Sequence, residues 1–196
     1  MWHCRPLSAL FTLLSAAALA ACRPAALPTP THAAETPSRA TSDLLELSSA
    51  AFGEGDEIPR RYTCDGQDVS PPLSWSGSPP NTKSFAIIVD DPDAPRGTWV
   101  HWVIFGIPAD TEGLAEDVPA EERLADGSGQ GRNSWDRIGY GGPCPPSGST
   151  HRYVFKLYAL DGLLDLRSGP QKKTLVEAME GHILTETRLV GTYGRE

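Results

Sequence analysis

The feature that most constrains the fold is a stiff acidic turn between two apolar runs. The runs Phe85–Val89 and Trp102–Ile107 contain the β-branched and aromatic residues that favour strands. Two prolines stiffen the turn between them, DDPDAPRGT. A strand that ends in such a turn presents its aspartates, Asp91 and Asp93 among them, at one end of a sheet. His101 lies at the start of the following strand, so carboxylates and an imidazole are predicted at one rim.

The order of the candidate elements predicts a mostly β fold. The chain has 196 residues, enough for one domain with a hydrophobic core, and its 19 glycines and 18 prolines suit long loops. Strand candidates come first and a single helix candidate, Lys172–Glu180, comes late. This order favours an antiparallel β-sandwich with a C-terminal helix over a parallel α/β sheet. The strand candidates are Leu44–Leu47, Ile58–Cys64, Lys83–Asp90, Trp102–Ile107, Tyr153–Leu160 and Arg188–Tyr193.

The net charge limits the partners that the chain can take. It is −8 at pH 7, which disfavours non-specific binding to nucleic acid. An acidic face is also repelled by an anionic membrane surface. We therefore expect no nucleic-acid partner, and membrane attachment only through an anchor.

The N-terminus is predicted to direct export and anchoring. Residues 1–21 hold an apolar run that is too short and too rich in small residues for a spanning helix, which indicates a signal peptide. The run ends in Leu19-Ala20-Ala21-Cys22, which resembles a bacterial lipoprotein cleavage box and predicts acylation of Cys22. The alternative is ordinary cleavage near Ala20 or Ala21, with an incidental Cys22. Acylation would place the protein in the cell envelope, anchored to a membrane on its periplasmic or extracytoplasmic side.

The remaining chain divides into a tether and a domain. Residues 22–42 are rich in Pro, Ala and Thr and have few large apolar residues, so they predict a flexible tether. Residues 43–196 form the predicted domain. Within it, the glycine-rich stretch Asp126–Asn133 could suggest a nucleotide loop, but it lacks a preceding strand and the closing Lys-Ser/Thr. A surface loop that borders the site is the favoured interpretation.

A second cluster of polar side chains follows a rigid Gly/Pro loop. His151 and Tyr153 lie two residues apart on a candidate strand, so they can face one cavity. With Asp91 and His101, they could bind an anion, hold zinc or form a hydrolase site, or they could be structural. The nucleophile candidates for a hydrolase are Ser147 and Ser149, since no GxSxG or HExxH motif is present. The residues alone leave these alternatives open.

The motif DPDAP is followed by HW, and then GPCPPSG is followed by HRYVFKLYAL. In this order, the motifs resemble those of the phosphatidylethanolamine-binding protein family. The bacterial branch, the Raf-kinase-inhibitor-like proteins, is also similar at IPRRYTCDGQDVSPPLSW and AMEGHILTETRLVGTYGR. The resemblance covers about Leu44–Arg195. One departure is Asp136, where the branch is expected to have glycine, so the geometry of that loop is an open question.

The resemblance implies a β-sandwich with a small pocket for phosphate or a phosphorylated head group. It implies binding or inhibition without catalysis, and no cofactor or metal. A protein partner such as a protease or kinase is compatible with the family, but the sequence identifies none. Hydrolysis in the His/Asp pocket and protease inhibition through exposed loops or the tether remain the alternatives. Carried over by motif position, the ligand-binding residues are Asp91, His101, Pro146, His151 and Tyr153, with Asp93 and Tyr140 as further candidates.

The cysteines predict one disulfide in the domain. Cys4 would be removed with the signal peptide, and Cys22 is assigned to the lipid. Cys64 and Cys144 remain as a pair in an oxidising compartment. A bond between them would join two loops that border the pocket, and two buried thiols are the alternative.

Overall fold

The computed structural model describes residues 44–167 and 169–196. The predicted signal peptide, the lipidation site at Cys22 and the tether at residues 22–42 lie outside the described residues. Within the described ranges, no helix has both the length and the apolar character needed to cross a membrane.

The described residues form eight strands, one 3-10 turn and one α-helix. In chain order, the strands are β1 (Glu46–Ser48), β2 (Leu73–Ser76), β3 (Ser84–Asp91), β4 (Trp99–Pro108), β5 (Gly113–Leu114), β6 (Gly129–Gln130), β7 (Thr150–Leu160) and β8 (Ile183–Gly194). The 3-10 turn is Arg60–Tyr62, and the helix α1 is Lys172–Met179.

The strands form two antiparallel sheets. The small sheet has the order β1-β2-β5, and the large sheet has the order β6-β4-β3-β7-β8. Every pairing between these strands is antiparallel. The predicted antiparallel sandwich with a helix near the C-terminus is therefore confirmed.

The central strand β3 is buried on both faces, which explains its uninterrupted apolar sequence. Phe85, Ile87 and Val89 belong to the core that includes residues of the small sheet. Ala86 and Ile88 belong to a second core that includes Leu175 and Met179 of α1. The helix thus packs Leu175 and Met179 on the outer side of the large sheet, whereas Val176 is exposed.

The predicted strand Ile58–Cys64 is wrong. The N–H of Ile58 donates to the carbonyl of Thr192 at 2.7 Å, so the segment touches the edge of β8. It then turns, because the carbonyl of Arg60 accepts from both the N–H and the hydroxyl of Thr63, at 3.1 and 2.9 Å. Gly66 lies so close to Arg60 that a Cβ there would be 1.9 Å from its carbonyl oxygen. Ile58 and Tyr62 of this segment therefore pack into the core from a compact turn and not from a strand.

The glycine-rich stretch at Asp126–Asn133 also differs from the expected surface loop. Its residues Gly129 and Gln130 form β6, which pairs with β4 at the edge of the large sheet. A Cβ at Gly129 would lie 2.5 Å from the ring of Phe105, so glycine is required by packing. Two residues of the stretch thus form a short edge strand of the sheet, and the others form the loops on either side of it.

Candidate functional site

Strand β3 ends in two adjacent aspartates whose side chains lie on opposite faces of the sheet. Asp90 is on the face that carries α1, where its Oδ2 accepts from Lys156 Nζ at 3.2 Å and from Lys172 Nζ at 2.7 Å. Asp91 is on the other face and is 4% exposed. Only Asp91 of these two residues lines the candidate pocket described below.

A β-bulge in β4 brings His101 to the same face as Asp91. Val89 is paired with Trp102, but the next residue, Asp90, is paired with Val100, so His101 is the extra residue. Trp102 packs in the core between the sheets, and His101 contacts Tyr153 of the same core. In a regular ladder, neighbours such as His101 and Trp102 would point to opposite faces.

The His101 ring is held on three sides. Its Nδ1–H donates to the carbonyl of Gly141 at 2.6 Å. The rings of Trp135 and Tyr153 meet it edge-on, with centroids at 5.0 and 5.1 Å. The side chain is almost fully buried, and this burial lowers the pKa of His101 below its usual 6.5, although the Gly141 carbonyl and Asp91 oppose the shift.

His151 is held by Asp91. Its Nδ1–H donates to Asp91 Oδ2 at 2.8 Å, and both side chains are buried. The other oxygen, Asp91 Oδ1, accepts from the backbone N–H of Asp93 at 2.8 Å. The carbonyl that meets His101 and the carboxylate that meets His151 can only accept, so each imidazole carries a proton on Nδ1. No hydrogen bond within the described ranges engages Nε2 of either ring.

These side chains line a cavity of about 310 Å³. Four of the predicted residues, Asp91, His101, Pro146 and His151, line it together. The remaining lining residues are Ala94, Pro95, Arg96, Trp99, Trp135 and Cys144. The acidic turn after β3, the start of β4 and the Gly/Pro loop before β7 thus meet at one rim, as the sequence indicates.

Three of the predicted residues do not line this cavity. Tyr153 is fully buried and packs against His101. Burial, followed by the charge of Asp91, raises the pKa of Tyr153. Its hydroxyl has no hydrogen-bond partner within 3.5 Å among the described residues. The backbone of Cys144 lowers the pKa of Tyr153 and so opposes part of the rise. Tyr140 donates its hydroxyl to the carbonyl of Tyr62 at 2.9 Å, and burial raises its pKa.

Asp93, the third of these residues, holds the start of β7. Its Oδ2 accepts from the backbone N–H and Nε of Arg152, each at 2.9 Å, and its Oδ1 accepts from Nη2 at 2.7 Å. These hydrogen bonds with Arg152 lower the pKa of Asp93 to about 2. Asp93 therefore ties the acidic turn to the strand that carries His151.

A disulfide joins Cys64 to Cys144, with Cα atoms 5.5 Å apart, as the sequence predicts. Cys144 is exposed and lines the cavity. Beside it, Gly142 donates its N–H to Asp68 Oδ1 at 2.6 Å, and a Cβ at Gly142 would lie 2.4 Å from the Tyr62 carbonyl. The glycine and the disulfide thus fix the Gly/Pro loop against the segment around the 3-10 turn.

The aromatic wall of the cavity escaped the sequence analysis. Trp99 and Trp135 meet edge-on, with ring centroids 5.3 Å apart. Trp99 lies only two residues before His101 and could have been found from that spacing. Trp135 lies in the long segment between β6 and β7, and no local pattern connects it to the acidic turn. Arg96 is exposed, and its position inside the acidic turn, next to the aspartates, could have identified it from the sequence.

The geometry bears on two alternatives left open by the residues. Within the described ranges, no group of three or more His, Cys, Asp or Glu side chains is placed to hold a metal ion. The hydroxyl of Ser149 donates to the carbonyl of Pro146 at 2.6 Å, so its proton is engaged by the backbone of its own loop.

Comparisons with known proteins agree on one family. The sequence model described as "Phosphatidylethanolamine-binding protein" matches residues 48–194. A UPF0098 protein of Methanothermobacter thermautotrophicus is 57% identical over 151 residues, which cover 77% of this chain and 99% of that protein. A UPF0098 protein of Aquifex aeolicus is 46% identical over 155 residues, which cover 78% of this chain and 90% of that protein.

Two solved structures are similar over the same region. The crystal structure of a putative phosphatidylethanolamine-binding protein homolog, CT736, from Chlamydia trachomatis gives a TM-score of 0.73 at 41% identity. It covers 79% of this chain and 100% of that chain. YbcL of E. coli, described as a new member of the mammalian PEBP family, gives a TM-score of 0.70 at 34% identity and covers 78% and 99%.

Proposed function

Because this chain belongs to the phosphatidylethanolamine-binding protein family, we propose that its domain binds phosphate or a phosphorylated head-group anion and catalyses no reaction. The proposal places the ligand in the cavity between the acidic turn and the Gly/Pro loop. A binding or inhibitory role follows from such a site, with the anion as ligand and a protein partner still to be identified.

The observation that carries the proposal is the orientation of the two imidazoles. His101 and His151 are each fixed through Nδ1, which leaves Nε2 of both rings for a ligand. A protonated Nε2 donates to a phosphate oxygen, and a neutral Nε2 accepts from a protonated one. Two such groups in one small cavity suit a compact oxyanion.

The buried carboxylate in this site has a positioning role in the proposal. Asp91 accepts from His151 on one oxygen and from the backbone of Asp93 on the other. It therefore sets the tautomer and the orientation of His151. Each carboxylate oxygen retains a second lone pair, so the ammonium of a zwitterionic head group could still bind there.

Charge and stacking at the rim support the same ligand class. Arg96 is exposed at the edge of the cavity, where its guanidinium attracts an anion. Trp99 and Trp135 provide apolar contact for the carbon atoms of a head group. The proposal includes export and a lipid anchor at Cys22, which would keep this cavity close to a membrane surface.

Thermal unfolding with and without a ligand tests the proposal. Inorganic phosphate, sulfate and phosphoethanolamine are the probes. At ten times its Kd, a ligand that binds only the folded state adds about 1.4 kcal/mol, which raises the Tm by about 3–5 °C for a domain of this size. We expect this rise with at least one probe, and we expect it to be lost in His151→Ala.

Two further variants make the result specific. His151→Asn keeps an amide donor for Asp91 but removes Nε2, so we expect a folded protein that loses the ligand effect. His182→Ala is the matched control, since His182 Nδ1 donates to Asp161 Oδ1 at the same 2.8 Å distance in an exposed position. The absence of any shift, or an unchanged shift in His151→Asn, would contradict the proposal. Ester or phosphoester turnover that is lost in His101→Ala would favour the hydrolase alternative.

A further inference from the structure

The two imidazoles that line the candidate cavity differ in their surroundings. His101 is 2% exposed, and its ring meets those of Trp135 and Tyr153 edge-on. No carboxylate of the described residues forms an ion pair with it, whereas Asp91 Oδ2 lies 2.8 Å from Nδ1 of His151. A positive charge would therefore be balanced by a direct partner on His151 but not on His101.

Burial keeps the His101 ring neutral. It lowers the pKa of His101 below 6.5, and this effect exceeds the opposing pull of the Gly141 carbonyl and of the carboxylates Asp91 and Asp90. Arg96 lines the same cavity, and its positive charge also disfavours a second proton on the ring. At pH 6.5 and above, the ring is therefore mainly an uncharged imidazole with one proton.

The position of that proton follows from the backbone. The Gly141 carbonyl lies 2.6 Å from Nδ1 of His101 and can only accept, so the proton is on Nδ1 and Nε2 carries a lone pair. This Nε2 has no hydrogen-bond partner in the described ranges. It is nevertheless not one of their buried unpartnered side-chain atoms, which belong to Trp75, Asp90, Trp99, Ser128 and Tyr153. Because His101 lines the cavity, Nε2 is accessible from there and offers an acceptor without a donor.

We propose that this acceptor selects ligands that keep an ionisable hydroxyl on phosphorus, an inference that rests on the proposed function. The cavity then binds a phosphomonoester or inorganic phosphate and discriminates against sulfate esters and phosphodiesters. The P–OH of the ligand donates to His101 Nε2, and the remaining oxygens carry the negative charge. Those oxygens accept from Arg96 at the rim, and from Nε2 of His151 when that ring is protonated.

The discrimination has an electrostatic cause. Sulfate esters and phosphodiesters carry no proton near neutral pH, so one of their oxygens would face the lone pair of His101 Nε2 with no hydrogen between them. Protonation of the ring would supply the hydrogen, but burial opposes that charge. An acceptor left unpaired in a desolvated site is the kind of contact by which proteins reject close analogues. His101 is therefore a specificity-determining residue.

Soluble phosphomonoesters and phosphatidic acid both carry the required group. Phosphoethanolamine and dihexanoyl phosphatidic acid, a water-soluble lipid, are the probes that separate these two sources. The cavity has a volume of about 310 Å³, at the small end of ligand pockets, so we expect phosphoethanolamine to bind more tightly. Binding of either probe supports the proposal, and the tighter one identifies the source.

A pair of nearly isosteric ligands tests the proposal in the wild-type protein. Phosphoethanolamine and ethanolamine O-sulfate differ chiefly in the ionisable hydroxyl. At pH 6.5, about a quarter of a phosphomonoester with a second pKa of about 6 retains that proton. In calorimetric titrations at this pH, we expect the Kd for the sulfate ester to be at least about tenfold higher. Glycerophosphoethanolamine, a phosphodiester, should also bind at least about tenfold more weakly than phosphoethanolamine.

The variant His101→Asn tests the residue. The amide of asparagine can still donate to the Gly141 carbonyl, but it does not reach the position of Nε2. We expect the two Kd values to come within about threefold of each other, mainly because phosphoethanolamine binds more weakly. His182→Ala is the matched control and should keep the wild-type ratio, since this exposed imidazole also donates through Nδ1 but lies outside the cavity.

The possible outcomes distinguish failure of this inference from failure of the proposed function. Equal affinities of the wild type for phosphoethanolamine and ethanolamine O-sulfate would overturn the inference and leave anion binding intact. The absence of binding to every probe would overturn both. A folded His101→Asn that keeps the wild-type ratio, or that loses both ligands, would show that His101 does not set the specificity. If that variant does not fold, the wild-type comparison alone decides.

Discussion

At the level of single residues, Asp91, His101 and His151 bring one carboxylate and two imidazoles to the same cavity. The spacing of His151 and Tyr153 correctly indicates one face, but the tyrosine is buried beneath the cavity and packs on His101. Asp91 and Asp93 lie in the same acidic turn, and the family motif ranks Asp91 first; of the two, Asp91 lines the cavity and Asp93 does not. Asp136 adopts a φ of 59°, the left-handed region in which glycine is favoured. The glycine that the family resemblance predicts at this position would therefore suit the positive φ of the backbone there.

His101 makes the stability of the domain depend on pH. Burial lowers its pKa below 6.5, so the folded state stays neutral where the unfolded state has already taken up a proton. The free energy of unfolding should fall as the pH decreases below about 6.5, whereas above that pH His101 contributes no slope. Urea unfolding of the wild type between pH 8 and 5 should show this fall.

The His101→Gln variant isolates this effect. Its slope below pH 6.5 should be smaller than that of the wild type by up to one proton per molecule. Glutamine offers an amide donor for the Gly141 carbonyl, which limits other damage to the fold. An identical slope in the two proteins would show that His101 takes up its proton equally well in the folded state.

At the level of elements, apolar runs predicted the long buried strands but missed the short strands β5 and β6 and the first half of β8. Phe85–Val89 and Tyr153–Leu160 lie within β3 and β7, because burial on one or both faces requires their sequence pattern. Strand β8 begins five residues before the predicted Arg188, since its first half is exposed and has no apolar pattern to reveal it. The bulge at His101 leaves no local signal either, since it results from the register of two strands.

The disulfide joins the segment after the 3-10 turn to the Gly/Pro loop before β7, and its removal should weaken both the fold and the site. Cys64 and Cys144 are 80 residues apart, and a covalent link over a loop of this length contributes roughly 2–5 kcal/mol. We expect the double variant Cys64→Ser/Cys144→Ser to lose about that much free energy of unfolding in urea titrations. Its affinity for the anion should also fall, since Cys144 lines the cavity.

The wild-type protein in a reducing buffer is the control for the serine substitutions, and it should unfold at a similarly lowered urea concentration. Mass spectrometry of unreduced peptides provides an independent check. Free thiols at both positions in protein isolated from the cell envelope, or an unchanged free energy of unfolding in the double variant, would count against this prediction.

At the level of the whole molecule, the sandwich places three distant segments at one end of the large sheet. The acidic turn, the segment with Trp135 and the Gly/Pro loop are separated in sequence but share one cavity. The two solved structures share the fold with this chain over 79% and 78% of its length. The proposed lipid anchor at Cys22 would hold the domain, and with it the cavity, at a membrane.

Replacement of the lipidation site tests the proposed location. With Cys22→Ser, acylation is impossible, and we expect the protein to move from the membrane fraction to the soluble envelope fraction. The wild type should carry acyl chains on an N-terminal Cys22, detectable by mass spectrometry of the mature protein. Fractionation of the variant with membranes to the same extent as the wild type would exclude the anchor.

The sequence by itself determined the family, the mostly β character of the chain, the cysteine pair and the residues that supply imidazole and carboxylate to the site. These features depend on local patterns and on motifs that are contiguous in the chain. Only the tertiary structure decided that Asp93 pairs with Arg152 outside the cavity, that His101 turns towards the cavity, and that Trp135 completes its wall. Those outcomes depend on strand register, a bulge and contacts between segments far apart in sequence, and a register change of one residue reverses the face of every side chain.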